Sequence, residues 1–268
     1  MNNQTKLKFP KFDNPLVSII IPVYNKAEYT FMCLQSILAN TFDVSYEVII
    51  VDNGSNDLTP SMLEKLENVK IIRNEENLGF IRACNQGADI AAGKYLLFLN
   101  NDTFVTPGWL STLVDTIEKY PKCRAVGCKL IYPNGKLQEA GSIVWADGSC
   151  LGYGRGDDPF KPEYSYVREV DYCSAACLLV RRDLFEKLGK FDERYLPAYY
   201  EDSDLCMGIW SMGYKVVYQP NVEIIHFEFT TSGSFDRAKE LMEENKIKFV
   251  EKWNKKLKKR YYPSHSNV

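Results

Sequence analysis

The chain has 268 residues, 45% of them hydrophobic and 25% charged, with a formal net charge of −2. That is enough apolar material for one large domain or two small ones, and the near-neutral balance excludes the basic surface that nucleic acid demands. The eight cysteines include no Cys-x-x-Cys pair, and the two histidines, His226 and His265, complete no zinc pattern.

Scattered thiols without a framework point to a reducing compartment. The N-terminal MNNQTKLKFPKFDNP lacks the apolar core of a signal peptide. No run approaches the roughly 18 apolar residues of a membrane span. A soluble, cytoplasmic protein is expected.

Residues 16–23, LVSIIIPV, form a short run of mostly branched apolar residues, the pattern of a central parallel strand buried on both faces. Pro22 stands near its end, where a strand tolerates it. Phe31, Leu34, Ile37 and Leu38 recur at helical steps. Residues 46–51 predict a second strand that stops at Asp52, followed by the turn residues Asn53, Gly54 and Ser55. A short helix over 61–66, a third strand over 69–72 and a helix over 78–92 come next. The fourth strand, 95–99, runs into Asn100, Asn101 and Asp102. Pro107 opens a helix reaching about residue 120, and 125–132 predict a fifth strand.

This alternation is the signature of an α/β domain with a mostly parallel sheet. Ligands of such sheets bind beyond the carboxyl ends of the strands. Three polar clusters fall there: Tyr24, Asn25 and Lys26; Asp52 and Asn53; Asn100, Asn101 and Asp102. Each also suits a cap or a turn.

Residues 133–168 are rich in Gly, Pro, Asp and Tyr and read as loops and short strands over the sheet edge, either a substrate loop or a bare connection. Residues 170–180 read as strand, 184–188 as a short helix ended by Gly189, and 214–218 as strand. Between them YYEDSDLCMGIWSMG reads as a helix with Glu201 and Asp202 at its N-terminal end. In the tail, Leu241, Phe249, Trp253 and Leu257 share one helical face amid eight lysines and arginines. Such a helix suits an anionic membrane surface or docking by its apolar face.

The blocks VSIIIPVYNKAEYTFMCLQSI, EVIIVDNGSND, NLGFIRACNQGADIAAGKYLLFLNNDT and YYEDSDLCMGIWSMGYKVVYQPNVEIIH run in the order found in inverting glycosyltransferases of family 2. The chain resembles that family over residues 16 to about 226. GCKLIYPNGKLQEAGS is most similar to bacterial enzymes that build surface polysaccharide, including rhamnosyltransferase-like members. The resemblance implies a GT-A fold: an α/β domain whose mostly parallel central sheet is flanked by helices. It assigns 16–132 to a Rossmann-like half binding the nucleotide sugar and 133–233 to an acceptor-binding, catalytic half. Residues 1–15 are an N-terminal extension and 234–268 a basic amphipathic helical tail.

The implied reaction uses a UDP- or dTDP-sugar, Mg²⁺ or Mn²⁺, and a glycan or lipid-linked acceptor, with membrane contact through the tail helix. In the family an Asp-x-Asp motif after strand four holds the metal. Here it reads Asn100, Asn101, Asp102, so Asp102 is the implied ligand, with the late His226 beside it. Asn100 is left to meet ribose or a metal-bound water. Asp52 is the implied acceptor for a pyrimidine N–H. Pro22, Tyr24, Asn25, Asn53, Asn77, Gly79, Arg82 and Asn101 match the donor-binding blocks, Arg82 suiting either diphosphate or a surface ion pair. Asp202 is the implied general base and Glu201 the acceptor-positioning acid, the reverse assignment remaining open. Two other functions stay open: a sugar nucleotidyltransferase, which lacks its glycine-rich phosphate loop here, and a non-catalytic sugar-nucleotide-binding module of a larger enzyme.

Overall fold

The computed structural model describes residues 6–228, 235–264 and 266; His265 lies outside them. In chain order the elements are β1 (Leu7–Lys8), β2 (Val17–Val23), α1 (Ala27–Asn40), β3 (Tyr46–Asp52), α2 (Thr59–Leu63), β4 (Leu66–Glu67), β5 (Lys70–Arg73), α3 (Gly79–Asp89), β6 (Tyr95–Leu99), β7 (Thr103–Val105), α4 (Trp109–Lys119) and β8 (Cys123–Ile131). The second half adds β9 (Leu137–Ala140), β10 (Ser142–Val144), β11 (Cys150–Gly152), β12 (Arg168–Glu169), β13 (Cys177–Arg181), α5 (Arg182–Lys187), α6 (Glu201–Ser211), β14 (Lys215–His226) and α7 (Phe235–Leu257).

The main sheet runs β12-β14-β8-β13-β6-β2-β3-β5. The α/β alternation over 16–132 produces its parallel part, β5, β3, β2 and β6. Strand β8 does not join β6 directly. Instead β13 enters between them antiparallel to both, with Leu178 opposite Phe98 on one side and Gly127 on the other, and β14 returns parallel to β8. The continuous strand expected over 170–180 is corrected: β12 ends at Glu169 and β13 begins at Cys177, leaving 170–176 as a loop. Pro22 lies inside β2, buried, beyond the last residue that pairs with β6, Ile20.

Both faces of the sheet are buried, as the strand composition requires. Ile19, Ile21, Val48, Ile50, Leu97 and Leu99 share a core with Leu34 and Ile37 of α1 and Trp109 and Leu113 of α4. The alternate residues Ile20, Ile49, Leu96 and Phe98 share the other core with Ile81, Phe185, Leu205 and Phe249, from α3, α5, α6 and α7. A period of two sends successive strand side chains to opposite faces.

The Gly- and Tyr-rich region is packed, not a bare connection. β9 pairs with β8, β10 pairs with β11, and Leu137, Ala140, Tyr164 and Tyr218 form a small core of their own.

The tail helix is docked by its apolar face. Phe249 and Leu257 are fully enclosed and Leu241 is buried. The Asn245 amide donates to the carbonyls of Tyr195, Ala198 and Tyr199. Asp204 of α6 accepts from Trp253 Nε1 at 2.7 Å and from Lys252 Nζ at 2.7 Å. Asp204 thereby anchors α7 to α6. Phe249 and Leu257 of this face fill the protein core. No helix among the described residues is long and apolar enough to cross a membrane.

Phe249→Ala removes a fully enclosed ring that sits 5.1 Å from Tyr200. Chemical denaturation is expected to show a loss of about 3–5 kcal/mol; a loss under about 1 kcal/mol would contradict the docking of α7.

Candidate active site

The carboxyl ends of β2, β3 and β6 present Tyr24, Asp52 and Asn100 along one edge of the sheet. Beyond β6 the chain turns through Asn100, Asn101 and Asp102 and re-enters the sheet as β7, which pairs with the end of β14 and sets His226 opposite Thr103. Phe227 N donates to Asp102 O at 2.9 Å. This register brings two residues 124 apart in sequence (102 and 226) together, with Asp102 Oδ1 3.3 Å from His226 Nε2.

The second histidine nitrogen fixes the tautomer. His226 Nδ1 lies 3.0 Å from Gln138 Oε1, an acceptor, so Nδ1 carries the proton. Nε2 then holds a lone pair, which accepts from the Asn100 amide at 3.2 Å. In this neutral form the Asn100 amide occupies the Nε2 lone pair, so a cation shared with Asp102 Oδ1, 3.3 Å away, would bind only once Asn100 lets go. Both groups are almost wholly buried. The carboxylate oxygen fits Mg²⁺ or Mn²⁺, and the imidazole beside it favours Mn²⁺ over the all-oxygen preference of Mg²⁺. Among the described residues no set of three His, Cys, Asp or Glu could hold a metal ion, so further ligands would have to come from the donor's phosphates and from water.

The acids of α6 lie on the same edge. Tyr199 and Tyr200, at φ 75° and 76°, hold the left-handed conformation just before the helix, a cost that bulky residues bear mainly at functional sites. Glu201 follows, buried, and no group among the described residues hydrogen-bonds its Oε2. Burial first, and then the neighbouring Asp202 charge, pushes its carboxyl well above the usual range. Asp202 is raised by burial, partly offset by hydrogen bonds from Ala175 N at 3.2 Å and Ser203 N at 2.6 Å.

A third acid, Glu139 of β9, was not anticipated. It is buried and accepts from Ser174 N at 3.0 Å. Burial pushes its carboxyl up to about 7, and the Asp202 charge adds to the shift.

The loop 174–176 ties these groups together. Ser174 N donates to Glu139, Ala175 N donates to Asp202, and Ala176 O accepts from Asn100 N at 3.0 Å. The acids and the Asp102–His226 pair are thus braced on three consecutive residues.

Asp52 is buried, and its Oδ1 accepts from Ser55 N at 3.0 Å. Its Oδ2 lies 3.7 Å from Arg73 Nε, a neighbour the sequence did not suggest. Tyr24, half-buried, follows Val23, the residue of β2 that pairs with Asp52.

Several residues expected to meet the donor brace the loops. Asn53 is buried, its amide donating to Gly79 O and accepting from Asn74. Asn101 is buried and donates to Thr30 Oγ1. Asn25 Oδ1 accepts from the amides of Asn56 and Asp57. Asn77 Oδ1 accepts from Gly79 N. Gly79 itself sits at φ +85°, where an added Cβ would fall 2.7 Å from Pro197. These bonds brace the loops at the sheet edge, and Pro22 is enclosed in its strand. Arg82 pairs with Glu193 at 3.0 Å and lines a cavity of about 530 Å³ with Phe191 and Lys190; the ion pair is what the structure shows. Asn85 binds both backbone groups of Phe191. Asn100, expected at ribose or water, holds His226 Nε2. Gln138 and Glu139 carried no signal in the sequence: LQEA reads as an ordinary mixed segment, and only the structure shows it buried throughout.

The mixed sheet, with its donor-side strands parallel and its polar residues along the carboxyl edge, is the GT-A fold. The chain belongs to glycosyl transferase family 2, whose sequence profile matches residues 18–189. It is 32% identical over 235 residues to the O-antigen biosynthesis protein RfbC of Myxococcus xanthus, covering 84% of this chain and 18% of that protein. It is 30% identical over 226 residues to the N-acetylglucosaminyl-diphospho-decaprenol L-rhamnosyltransferase of Mycobacterium tuberculosis, covering 76% of this chain and 73% of the relative. The chain spans about a quarter or less of the length of two of the curated relatives it matches. A crystal structure of GalNAc-T7 with UDP, GalNAc and Mn²⁺ shares the fold, with a TM-score of 0.70 at 18% identity, over 91% of this chain and 50% of that one.

Glu139 gives the site a pH signature. Its folded-state pKa of about 7 lies above the ordinary 4.5, so the folded protein keeps a proton that the unfolded chain releases. Its contribution to stability falls as pH rises from about 4.5 through 7, by about 3 kcal/mol in all. Glu139→Gln is expected to be the more stable protein at pH 8, with the difference shrinking towards pH 5. Equal denaturation midpoints at pH 8 would contradict it.

Proposed function

We propose that this chain transfers a sugar, with inversion, from a UDP- or dTDP-sugar to a glycan or lipid-linked acceptor in bacterial surface polysaccharide synthesis. The observation that carries the reading is the bracing of Asp202 and the Asp102–His226 pair on residues 174–176. The relatives support it: one is named for O-antigen biosynthesis, another for a diphospho-decaprenol acceptor, and a solved neighbour was crystallised with UDP and Mn²⁺.

Asp52 accepts a pyrimidine ring N–H through its remaining lone pairs. Asp102 and His226 Nε2 would hold a divalent ion, whose charge would offset the one building on the leaving diphosphate. Gln138 and Asn100 keep the imidazole turned towards Asp102. At the other side of the loop, Asp202 takes the proton of the acceptor hydroxyl as that oxygen bonds to the anomeric carbon. The bond to the diphosphate oxygen breaks on the opposite face, so the configuration inverts. Glu201 positions the acceptor. A module that only bound nucleotide sugars would have no use for an acid buried beside Asp202 with an oxygen left unbonded.

Residues 16–132 then act as the donor half and 133–233 as the acceptor half. The tail helix adds an electrostatic contact rather than an inserted one. Lys255, Lys256, Lys258 and Lys259 are exposed at its end, where each adds about 1 kcal/mol of attraction to an anionic leaflet.

Nucleotide-sugar panels with Mn²⁺ and candidate acceptors test the activity. Asp202→Asn should lower transfer by about 10²–10⁴-fold while donor binding by calorimetry persists, and EDTA should abolish transfer. Full transfer by Asp202→Asn would remove the base assignment.

Vesicle sedimentation tests the tail. Binding should require anionic lipid, weaken with salt and be lost when the four lysines become alanine. Equal binding to neutral vesicles would refute the contact.

A further inference from the structure

Glu139 has no part in the mechanism above, yet it occupies the amide next to the one that holds Asp202. Ser174 N and Ala175 N are consecutive donors. The first is given to Glu139 at 3.0 Å and the second to Asp202 at 3.2 Å. Two carboxyls bound by adjacent amides of one chain segment are held in a fixed relation to each other. Glu139 is enclosed and Asp202 is half-buried, each held by its amide.

The surroundings favour the neutral form of Glu139. From α6 it faces Asp202 and Cys206. From the loop before β13 it faces Tyr172 and Cys173, and from β8 and the residue after it Cys128 and Tyr132. The cation of the set is Arg155, whose guanidinium is engaged by both oxygens of Glu228. The acid Glu139 therefore shares its environment with a second acid and with thiols and phenols, and with one guanidinium that is already paired.

We infer that Glu139 is a positioning residue for the transfer reaction: fixed beside Asp202 on the 174–176 loop, it sets how readily Asp202 accepts the proton of the acceptor hydroxyl. The inference rests on Asp202 as general base and adds a second group to it. Glu139 touches neither substrate nor the reacting atoms. Above about pH 7, where Glu139 loses its proton, its charge raises the proton affinity of Asp202 by like-charge repulsion and makes it the stronger base, so native activity goes on rising to that pH. One bond forms and one breaks at Asp202 itself: the acceptor oxygen loses its proton and an Asp202 oxygen gains it.

The test is the pH dependence of kcat/KM for the acceptor at saturating donor and Mn²⁺, in the native enzyme, Glu139→Gln and Asp202→Asn. Glu139→Gln keeps the size of the side chain and removes the charge, and donor affinity by calorimetry checks that the site is intact. The limb on which activity rises with pH should move to lower pH by about half a unit or more in Glu139→Gln. The plateau should fall several-fold, and Glu139→Asp should restore part of the native profile. A limb that stays at its native position in Glu139→Gln, whatever happens to the plateau, overturns the role of Glu139. The two readings fail separately: a rising limb that survives in Asp202→Asn overturns the base assignment, whereas one that vanishes there but does not move in Glu139→Gln overturns only the inference about Glu139.

Discussion

Three consecutive backbone groups, Ser174 N, Ala175 N and Ala176 O, hold the site together. They are available because strand β13 stops short. A strand running through 170–180 would have spent those groups on sheet ladders. Its interruption frees two N–H donors for two acids and a carbonyl for Asn100. The insertion of β13 between β6 and β8 then fixes where the loop lies, at the end of β6 where Asn100 begins the turn to Asp102.

Strand β9 supplies a second brace. Its adjacent residues Gln138 and Glu139 point to opposite sides, as strand neighbours do. One orients His226 and the other meets Ser174. Buried carboxyls are expensive unless hydrogen-bonded. The surrounding structure offsets that cost by packing: α6 is held from behind by α7, through the Asp204 contacts to Lys252 and Trp253 and the Asn245 bonds to the turn before Glu201. The tail helix thus supports Glu201 and Asp202 from the far side of the helix that carries them.

The parallel half of the sheet was legible in the sequence because short runs of Ile, Val and Leu buried on both faces have few other solutions. The edge position of Asp52, Asn100 and Asp102 followed from strand ends alone. The pairing of Asp102 with His226 did not, since it depends on the antiparallel register of β7 and β14. The amides of Asn25, Asn53, Asn77 and Asn101 carry the same letters whether they meet a ligand or a backbone, and only contacts separate the two uses. Glu139 was hidden for a related reason. Its importance comes from two neighbouring amides 35 residues away. The break in 170–180 was hard to foresee because VDYCSAACLLV is apolar enough to read as strand throughout.

The most direct test of the account is a crystal structure with UDP and Mn²⁺. The account predicts the metal bonded to the Asp102 carboxylate and His226 Nε2, the uracil N–H on Asp52, and Asp202 facing the open side of the diphosphate with Ala175 N still bound. A metal held away from His226, or a nucleotide whose base lies away from Asp52, would contradict it.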